Sequence, residues 1–306
     1  MFLGIDTSNY TTSVALYDGD SIVQKKKLLS VKKNERGLRQ SDAVFQHTVN
    51  LHQLIKELDF TKDNLSAIGV SSRPRNVEGS YMPCFLVGLN TAECISHITS
   101  APLYKTSHQV GHILSALYSC DRLDLINERF IAFHVSGGTT EALLITPDNE
   151  EIIKAQLIGQ STDLKAGQAV DRAGVMLGLD FPCGKELDRL SLLSDAEFKI
   201  KPSVKGTDCS LSGLENKARK MFEQKCDKCD IARFVISYIC QTLDLMTNNI
   251  LLQYGNLPIV FAGGVMSNTI IKERLSKKYS AYFASPEFSC DNASGTAIYA
   301  YLKNNL

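Results

Sequence analysis

The chain has 306 residues, of which 44% are hydrophobic and 22% charged, and its 33 basic and 33 acidic residues cancel to a net charge of zero. That length suffices for two domains with full cores. The balanced charge excludes a global electrostatic field that would drive nucleic-acid or membrane binding, but it does not exclude a local basic patch. No apolar run approaches the about 20 residues of a membrane span, and an acid at Asp6 argues against a signal peptide. The nine cysteines are an odd number scattered through apolar segments, so we expect a protein of the reducing cytoplasm. The one CxxC, Cys226 to Cys229, has no second pair at zinc-finger spacing and is expected to face solvent.

The opening of the chain recurs in its second half. Residues 2–20 align without a gap with residues 130–148, with identity at positions such as Ser8 and Ser136. Each copy alternates apolar runs with small polar turns, which is typical of three short strands. The alternative is two unrelated hairpins. The repeat favours two similar domains whose Ser-, Thr-, Gly- and Asn-rich turns face one cleft and hold a phosphate chain from both sides.

The remaining predicted elements alternate in type. The first half continues with a helix capped by Ser41, a strand over 65–71, a helix over 84–99, a strand over 102–106 and a helix starting at Ser107. A polar linker is predicted over 121–128. The second half adds three strands to about residue 157, an apolar helix over 231–251 capped by Asp230, a buried strand over 258–262 and a last helix over 292–302 that packs on the first domain. This βββαβαβα order predicts an α/β fold with a first domain over 1–125, completed by residues 290–306, and a second over 126–289.

One dense basic run follows the third strand. Lysines and arginines spaced this closely form either a nucleic-acid-binding surface or an edge strand that charge protects from aggregation. The run comprises Lys25, Lys26, Lys27, Lys32, Lys33, Arg36 and Arg39.

Two histidines, His108 and His112, are spaced i and i+4, which places both imidazoles on one face of a helix. This spacing suits one metal ion, and the alternative is two structural histidines. Position 109 is Gln, so the general-base Glu of HExxH peptidases is absent and a peptidase is disfavoured. Asp291, ahead of the last helix, is the best third ligand. Imidazole with carboxylate suits zinc or iron.

Two glycine pairs follow apolar strands, in Ser136-Gly137-Gly138 and in Gly263-Gly264. Backbone at such turns can approach an anionic ligand closely, although each pair alone also fits a plain turn. Asp171 is placed to bind ribose hydroxyls or is a surface acid of its helix. Asn268 can hydrogen-bond a ribose or a base.

Together these residues resemble the tRNA threonylcarbamoyladenosine transferases, a family formerly called the O-sialoglycoprotein endopeptidases. The resemblance spans nearly the whole chain. It is carried, in order, by Asp-Thr-Ser at 6–8, HxxxH at 108–112, Val-Ser-Gly-Gly-Thr at 135–139, Gly-x-x-x-Asp-Arg at 167–172, Leu-Asp-Phe-Pro-x-Gly at 179–184, Ser-Leu-Ser-Gly-Leu at 210–214, Ala-Gly-Gly-Val-x-x-Asn at 262–268 and Cys-Asp-Asn at 290–292.

The resemblance implies the fold of the actin-like, sugar-kinase and heat-shock ATPase superfamily, two duplicated α/β domains around a nucleotide cleft. It implies a divalent metal, iron or zinc, on His108, His112 and Asp291, and transfer of threonylcarbamoyl from its AMP ester to N6 of a tRNA adenosine. It also implies possible partner proteins of a tRNA-modifying complex and no membrane. The residues assigned to the adenine nucleotide, which is threonylcarbamoyl-AMP, ATP or AMP, are His134, Val135, Ser136, Gly137, Gly138, Asp171, Gly184 and Asn268, with the turn Gly263-Gly264 added from its own pattern.

The chain departs from the family where the family carries acids. Tyr10, Thr11 and Val110 replace three of them, and Ser72-Arg73-Pro74-Arg75 replaces a glycine-rich turn. Three hypotheses follow: a transferase with tRNA or a small molecule as acceptor, a catalytically weak partner or regulator, and a sugar-kinase-type phosphotransferase, which would need an Asp base. We assign no catalytic residue from the sequence.

Overall fold

The computed structural model describes residues 1–8, 10–31 and 38–306, so Asn9 and three members of the basic run, Lys32, Lys33 and Arg36, lie outside the described residues. Internal packing divides the described chain into two compact units. Unit 1 comprises residues 1–127, 146–155 and 287–306, and unit 2 comprises residues 128–145 and 156–286. The domain boundaries at 125 and 289 stay a prediction, because packing alone does not show which segments fold independently.

Unit 1 is built on a five-stranded mixed sheet in the order β3-β2-β1-β4-β5. Its first three strands form an antiparallel meander, and β4 and β5 continue the sheet in parallel. The first two strands are buried along their whole length, whereas β3 is a half-exposed edge strand. The strands are β1 (Phe2–Asp6), β2 (Thr11–Tyr17), β3 (Ile22–Leu28), β4 (Ala67–Arg73) and β5 (Leu103–Ser107).

The second five-stranded sheet repeats this topology in the order β12-β11-β6-β7-β8. Phe2 pairs with Tyr17 in the first hairpin, and Phe130 pairs with Ile145 in the second, which is the same register shifted by the repeat. The predicted duplication is therefore confirmed. The strands are β6 (Phe130–Val135), β7 (Thr140–Asp148), β8 (Ile152–Gln160), β11 (Ile259–Ala262) and β12 (Ala281–Phe283), and β9 (Ser203–Lys205) with β10 (Asp208–Ser210) form a separate hairpin.

The helices of unit 1 cover its sheet. The last helix packs against β1 and β4, as predicted. The cap predicted for the first helix at Ser41 is wrong. The helix begins at Gln40, and Arg39 occupies its N-cap position. The helices are α1 (Gln40–Lys56), α2 (Phe85–Thr99), α3 (His108–Ser119), α9 (Pro286–Ser289) and α10 (Ser294–Asn304), with 3-10 turns at Lys62–Asn64 and Leu123–Asn127. The second turn lies in the predicted linker and buries Leu125 completely.

Unit 2 inserts helices between its meander and its last strands. The cap predicted at Asp230 is wrong, because the long helix begins at Lys228 and the Asp227 carboxylate accepts from the Cys229 amide at 2.7 Å. Asp230 instead accepts from the Ser194 hydroxyl at 2.5 Å. The helices are α4 (Ala166–Met176), α5 (Gly184–Ser191), α6 (Ser212–Glu223), α7 (Lys228–Tyr254) and α8 (Thr269–Lys278), with a 3-10 turn at Gly264–Ser267.

Each unit has its own hydrophobic core. Leu3, Ile5 and Ile68 lie at the centre of the first, and Phe133, Phe261 and Ile239 lie at the centre of the second. Among the described residues no helix combines the length and the apolar character that crossing a bilayer requires.

Candidate functional site

Among the described residues, unit 1 brings together one cluster of side chains that can ligate a metal. His108 and His112 lie in the first turns of α3, whose start is fixed by the Ser107 hydroxyl accepting from the Val110 amide at 3.2 Å. Asp291 comes from the turn between α9 and α10. One ligand atom from each of the three residues lies within 4.8 Å of the others.

The three side chains converge through specific atoms. Asp291 Oδ1 lies 3.2 Å from His112 Nε2 and 3.5 Å from His108 Nε2. The two imidazole rings meet edge to face with centroids 4.3 Å apart. Both Nε2 atoms and the carboxylate oxygen therefore face one point.

Asp6, which the sequence analysis did not assign to the metal site, stands behind this cluster. Its Oδ2 accepts from His108 Nδ1 at 2.8 Å, and its Oδ1 accepts from the Ser8 amide at 2.7 Å. This contact holds a proton on Nδ1 and orients the ring, so that Nε2, directed at Asp291, would present its lone pair to a cation once it gives up its own proton. The sequence signal that could have identified it is an acid at the end of the apolar strand β1.

The carboxylates strongly perturb the titration of the cluster. Burial alone would lower the pKa of His108, but the charges and hydrogen bonds of Asp6 and Asp291 outweigh it and raise the pKa to about 10. Burial opposes ionisation of Asp291, yet hydrogen bonds from the two histidines hold its pKa far below the usual range. The two shifts thus describe an ion pair between the His108 imidazolium and the carboxylates, in which a bound cation would replace the positive charge of the proton.

Close packing of two helices places Asp291 beside the histidines. A Cβ on Gly295 would lie 1.7 Å from the Gly111 carbonyl oxygen, so α10 touches α3 within the HxxxH segment. Asn292, itself buried, accepts from Ser115 Oγ on α3 at 3.0 Å and donates to the Cys290 carbonyl at 2.6 Å. These contacts hold the turn that carries Asp291 against α3.

Unit 2 carries the glycine turns. Gly137 and Gly138 are exposed, a Cβ on either would meet nothing within 4 Å, and among the described residues their amides donate no hydrogen bond. The first turn of α4 abuts them, because Gly167 donates from its amide to the Ser136 carbonyl at 3.1 Å. Free amides beside a helix N-terminus form a site that favours an anion.

The second glycine turn joins the same region. Gly263 has φ +100°, and a Cβ there would lie 2.3 Å from the Val135 carbonyl, so the position requires glycine. Gly264, in contrast, faces open space. The structure therefore gathers Val135 to Gly138 and Gly263-Gly264 at the ends of β6 and β11. His134 pairs with Ala262 across these strands.

The residues predicted to contact the nucleoside occupy defined positions. Asp171 Oδ1 accepts from the Cys183 amide at 2.9 Å, which ties α4 to the start of α5 at Gly184. Asn268 caps α8 through its carbonyl oxygen, and its amide donates to Asp188 Oδ1 at 2.7 Å. Asp188 was not predicted, and its spacing four residues after Gly184 on α5 is the signal that could have found it.

A cavity of about 800 Å³ lies between α4 and α6. Asp171 lies at its wall, and its volume is within the range of about 300–1,000 Å³ for small-molecule sites. Arg172 and Arg219 on this wall are both paired with Glu215, at 2.9 and 3.2 Å. The cavity therefore offers an apolar interior with neutralised charges at its edge.

Asp163 links two loops of unit 2 and was also missed from the sequence. Its carboxylate accepts from the amides of Leu164, Leu211 and Ser212 and from the Ser210 hydroxyl at distances of 2.5–3.2 Å. Burial alone would raise its pKa, but these hydrogen bonds lower the pKa well below the usual range.

We expect Asp163→Asn to lower the free energy of unfolding by about 1 kcal/mol at pH 7, because hydrogen bonds to a charged group are worth about 1.5–3 kcal/mol and solvent reduces that at an exposed carboxylate. Because the folded-state pKa is depressed, the advantage of the wild type should be complete above about pH 5 and decline below about pH 4. Urea unfolding at several pH values measures it, with exposed Asp195→Asn as control. A pH-independent difference would contradict the carboxylate's role.

A sequence profile of the family described as TsaD, tRNA N6-adenosine threonylcarbamoyltransferase, matches residues 28–298. The chain belongs to the TsaD family. This confirms the resemblance drawn from the motifs. The match begins at the last residue of β3, so the first hairpin, with Asp6, Tyr10 and Thr11, precedes the matched part.

Solved structures confirm the fold class predicted for this TsaD family member. Component A of the (R)-2-hydroxyglutaryl-CoA dehydratase of Acidaminococcus fermentans is 19% identical with a TM-score of 0.59, over 100% of this chain and 99% of that one. The activator of the 2-hydroxyisocaproyl-CoA dehydratase of Clostridium difficile, solved with bound ADPNP, is 14% identical with a TM-score of 0.56, over 100% and 96%. Full-length HypF in a phosphate- and nucleotide-bound form is 12% identical with a TM-score of 0.57, over 99% of this chain and 55% of HypF.

The three residues of this chain that stand where the resemblance to the TsaD family implies acids differ in their exposure to solvent. Val110 is 1% exposed and Thr11 is 7% exposed, whereas Tyr10 is 43% exposed. Val110 is buried in the first turn of α3 and lies between the two histidines in sequence, on a different face of the helix. No carboxylate stands at these three positions to accept a proton near the cluster.

Proposed function

We propose that the protein is a metal-dependent, adenine-nucleotide-binding transferase that moves threonylcarbamoyl from threonylcarbamoyl-AMP to N6 of an adenosine in tRNA. Membership of the TsaD family supports the reaction class. The observation that carries the proposal is the convergence of His108, His112 and Asp291, three ligands drawn from two distant parts of the chain. A small-molecule acceptor is the alternative for the same chemistry.

The cluster fits a divalent cation. Tetrahedral coordination with bonds of about 2.0–2.2 Å requires ligand atoms about 3.4 Å apart. The observed 3.2 and 3.5 Å from Asp291 Oδ1 to the two Nε2 atoms match this spacing. The donor set of two imidazoles and one carboxylate suits iron or zinc. A cation bound there would supply a Lewis acid for the carbamoyl carbonyl.

The chain's own groups have separate tasks in this proposal. Asp6 orients His108 and raises its basicity as a ligand. The free amides of Gly137 and Gly138, beside the N-terminus of α4, bind the phosphate of the adenylate, with Gly263-Gly264 as the second turn. Asp171, Gly184 and Asn268 receive the nucleoside. Two structures of the same fold were solved with a bound nucleotide, which supports the use of a nucleotide by this chain.

The test is a transfer assay with purified protein, threonylcarbamoyl-AMP and unmodified tRNA. We expect modified tRNA to form, and Asp291→Ala, which removes a ligand without touching unit 2, to abolish it while adenine-nucleotide binding persists. Modification at an unchanged rate in Asp291→Ala would refute the metal-dependent mechanism. Nucleotide binding without transfer to tRNA would favour another acceptor.

A second function, a partner or regulator within a tRNA-modifying complex, is favoured by the residues at Tyr10, Thr11 and Val110. A carboxylate can take the proton released by the attacking amine, a contribution of about 10²–10⁴ in rate, and none is present at these positions. Adding cell extract to the assay separates the two functions. Activity that appears only with extract indicates that a partner supplies the missing group.

tRNA binding by the basic run is a further prediction. Lys25 is 3.6 Å from Glu57, and Lys26 donates to the Glu287 carbonyl at 3.1 Å, which agrees with a charged edge strand at β3. If tRNA also binds here, Lys32→Glu with Lys33→Glu should weaken it, and log affinity should fall with log salt by about 0.9 per phosphate contacted on duplex regions. Filter binding measures this, with Lys199→Glu and Lys201→Glu as control. Equal effects of both pairs would argue against this surface.

A further inference from the structure

One face of unit 2 carries two arginines to which the described residues offer no acidic partner. Arg233 and Ser237 are neighbours at i and i+4 on α7, and Ile270 and Arg274 are neighbours at i and i+4 on α8. These side chains line a cavity of about 270 Å³ between the two helices, with Cys240, Glu273 and Lys277 completing the lining. None of them belongs to the glycine turns or to the metal cluster.

The charges around this cavity do not cancel. Lys277 Nζ pairs with Glu273 Oε1 at 2.5 Å, and neighbouring Lys278 pairs with Asp244 at 2.8 Å. Within residues 38–306, Arg233 and Arg274 form neither an ion pair within 4 Å nor a side-chain hydrogen bond. Asp230, one turn before Arg233, is engaged by Ser194. Two arginines without a counter-ion from the described part of the protein therefore line one cavity.

The chemistry of the lining indicates which anion fits. A guanidinium presents a rigid fork of donors that matches the oxygens of a phosphate. Two forks approaching from different helices suit a tetrahedral anion with several oxygens, and the Ser237 hydroxyl adds a further donor. The volume is below the about 300–1,000 Å³ of sites that enclose drug-sized ligands. The cavity therefore has room for one charged group and leaves the rest of a larger ligand outside.

We propose that the cavity between α7 and α8 binds a phosphate group through Arg233 and Arg274. The group belongs either to a free phosphorylated solute or to the backbone of an RNA. This site is separate from the adenylate turns and stands whether or not the proposed transfer is correct.

Titration of the full chain with inorganic phosphate, followed by isothermal calorimetry, tests the site. We expect Arg233→Gln with Arg274→Gln to weaken phosphate binding about tenfold or more, because two charged hydrogen-bonding partners are lost. Glu273→Gln should strengthen binding severalfold, since it removes the carboxylate beside the site and frees Lys277. The charge-matched control Lys199→Gln with Lys201→Gln should leave binding unchanged, and circular dichroism verifies folding of each variant.

The response to Glu273→Gln distinguishes phosphate bound in this cavity from phosphate bound at the glycine turns. The substitution should change the affinity of the cavity and leave that of the glycine turns unchanged. Phosphate binding that does not saturate, or that is equal in the wild type and the double arginine variant, would overturn the proposal. tRNA filter binding on the same variants identifies the source. A parallel loss of tRNA affinity assigns the phosphate to RNA, and unchanged tRNA affinity with weakened phosphate binding assigns it to a free solute.

Discussion

His108→Ala should reduce the metal content of the purified protein from about one ion per chain to almost none. The substitution removes one of three convergent ligands, and the remaining His112 and Asp291 cannot complete a site of this type. Asp6→Asn should act less strongly and lower metal affinity about 10–100-fold, because the amide no longer polarises the His108 imidazole. Elemental analysis and competition with a chelator measure the two effects.

The matched control is His97→Ala, on α2 and outside the cluster. It should leave the metal content at the wild-type value. Unchanged metal in His108→Ala would reject the site, whereas equal losses in His97→Ala and His108→Ala would show that the ion is bound nonspecifically. The graded order of His108→Ala and Asp6→Asn separates a ligand from a residue that positions it.

Gly295→Ala should damage both stability and metal binding. Its Cβ would fall 1.7 Å from the Gly111 carbonyl oxygen, and backbone atoms cannot give way without moving α10 away from α3. Overpacking of this kind costs about 1–3 kcal/mol of the free energy of unfolding. Because Asp291 lies four residues before Gly295, the same movement should separate its carboxylate from His112.

Gly213→Ala, in the first turn of α6, is the matched control, since a Cβ there would lie an ordinary 3.8 Å from the Tyr238 hydroxyl. Urea unfolding and metal content are measured on both variants. We expect the control to match the wild type. A Gly295→Ala protein that keeps full stability and a full complement of metal would show that the helix contact does not position Asp291.

Much of the fold follows from local patterns in the chain. Alternating apolar runs and polar turns located the strands of both meanders, and the repeat from Phe2 to Phe130 anticipated two sheets of identical topology. Boundaries were less certain where several residues can cap a helix. α7 begins at Lys228 with Asp227 as its cap, whereas the Asp230 carboxylate accepts from the Ser194 hydroxyl.

The parts of the metal site could be predicted from local sequence patterns to very different degrees. The i, i+4 spacing of His108 and His112 is a local property and needs only a helix to place both rings on one face. The pairing of Asp6 with His108 spans 102 residues, and that of Asp291 with His112 spans 179. No local pattern encodes which distant segments meet.

By itself, the sequence determined the α/β class, the duplication, the family and the two histidines on one helix face. The sequence also named Asp291 as the third ligand. Only the tertiary structure decided that Asp6 stands behind His108, that Asp163 joins two loops, and that Arg233 and Arg274 line one cavity without a counter-ion among the described residues. The reason is physical. Periodicity and turn chemistry act over a few residues, whereas a binding site is created where sheet order and helix packing bring remote segments into contact.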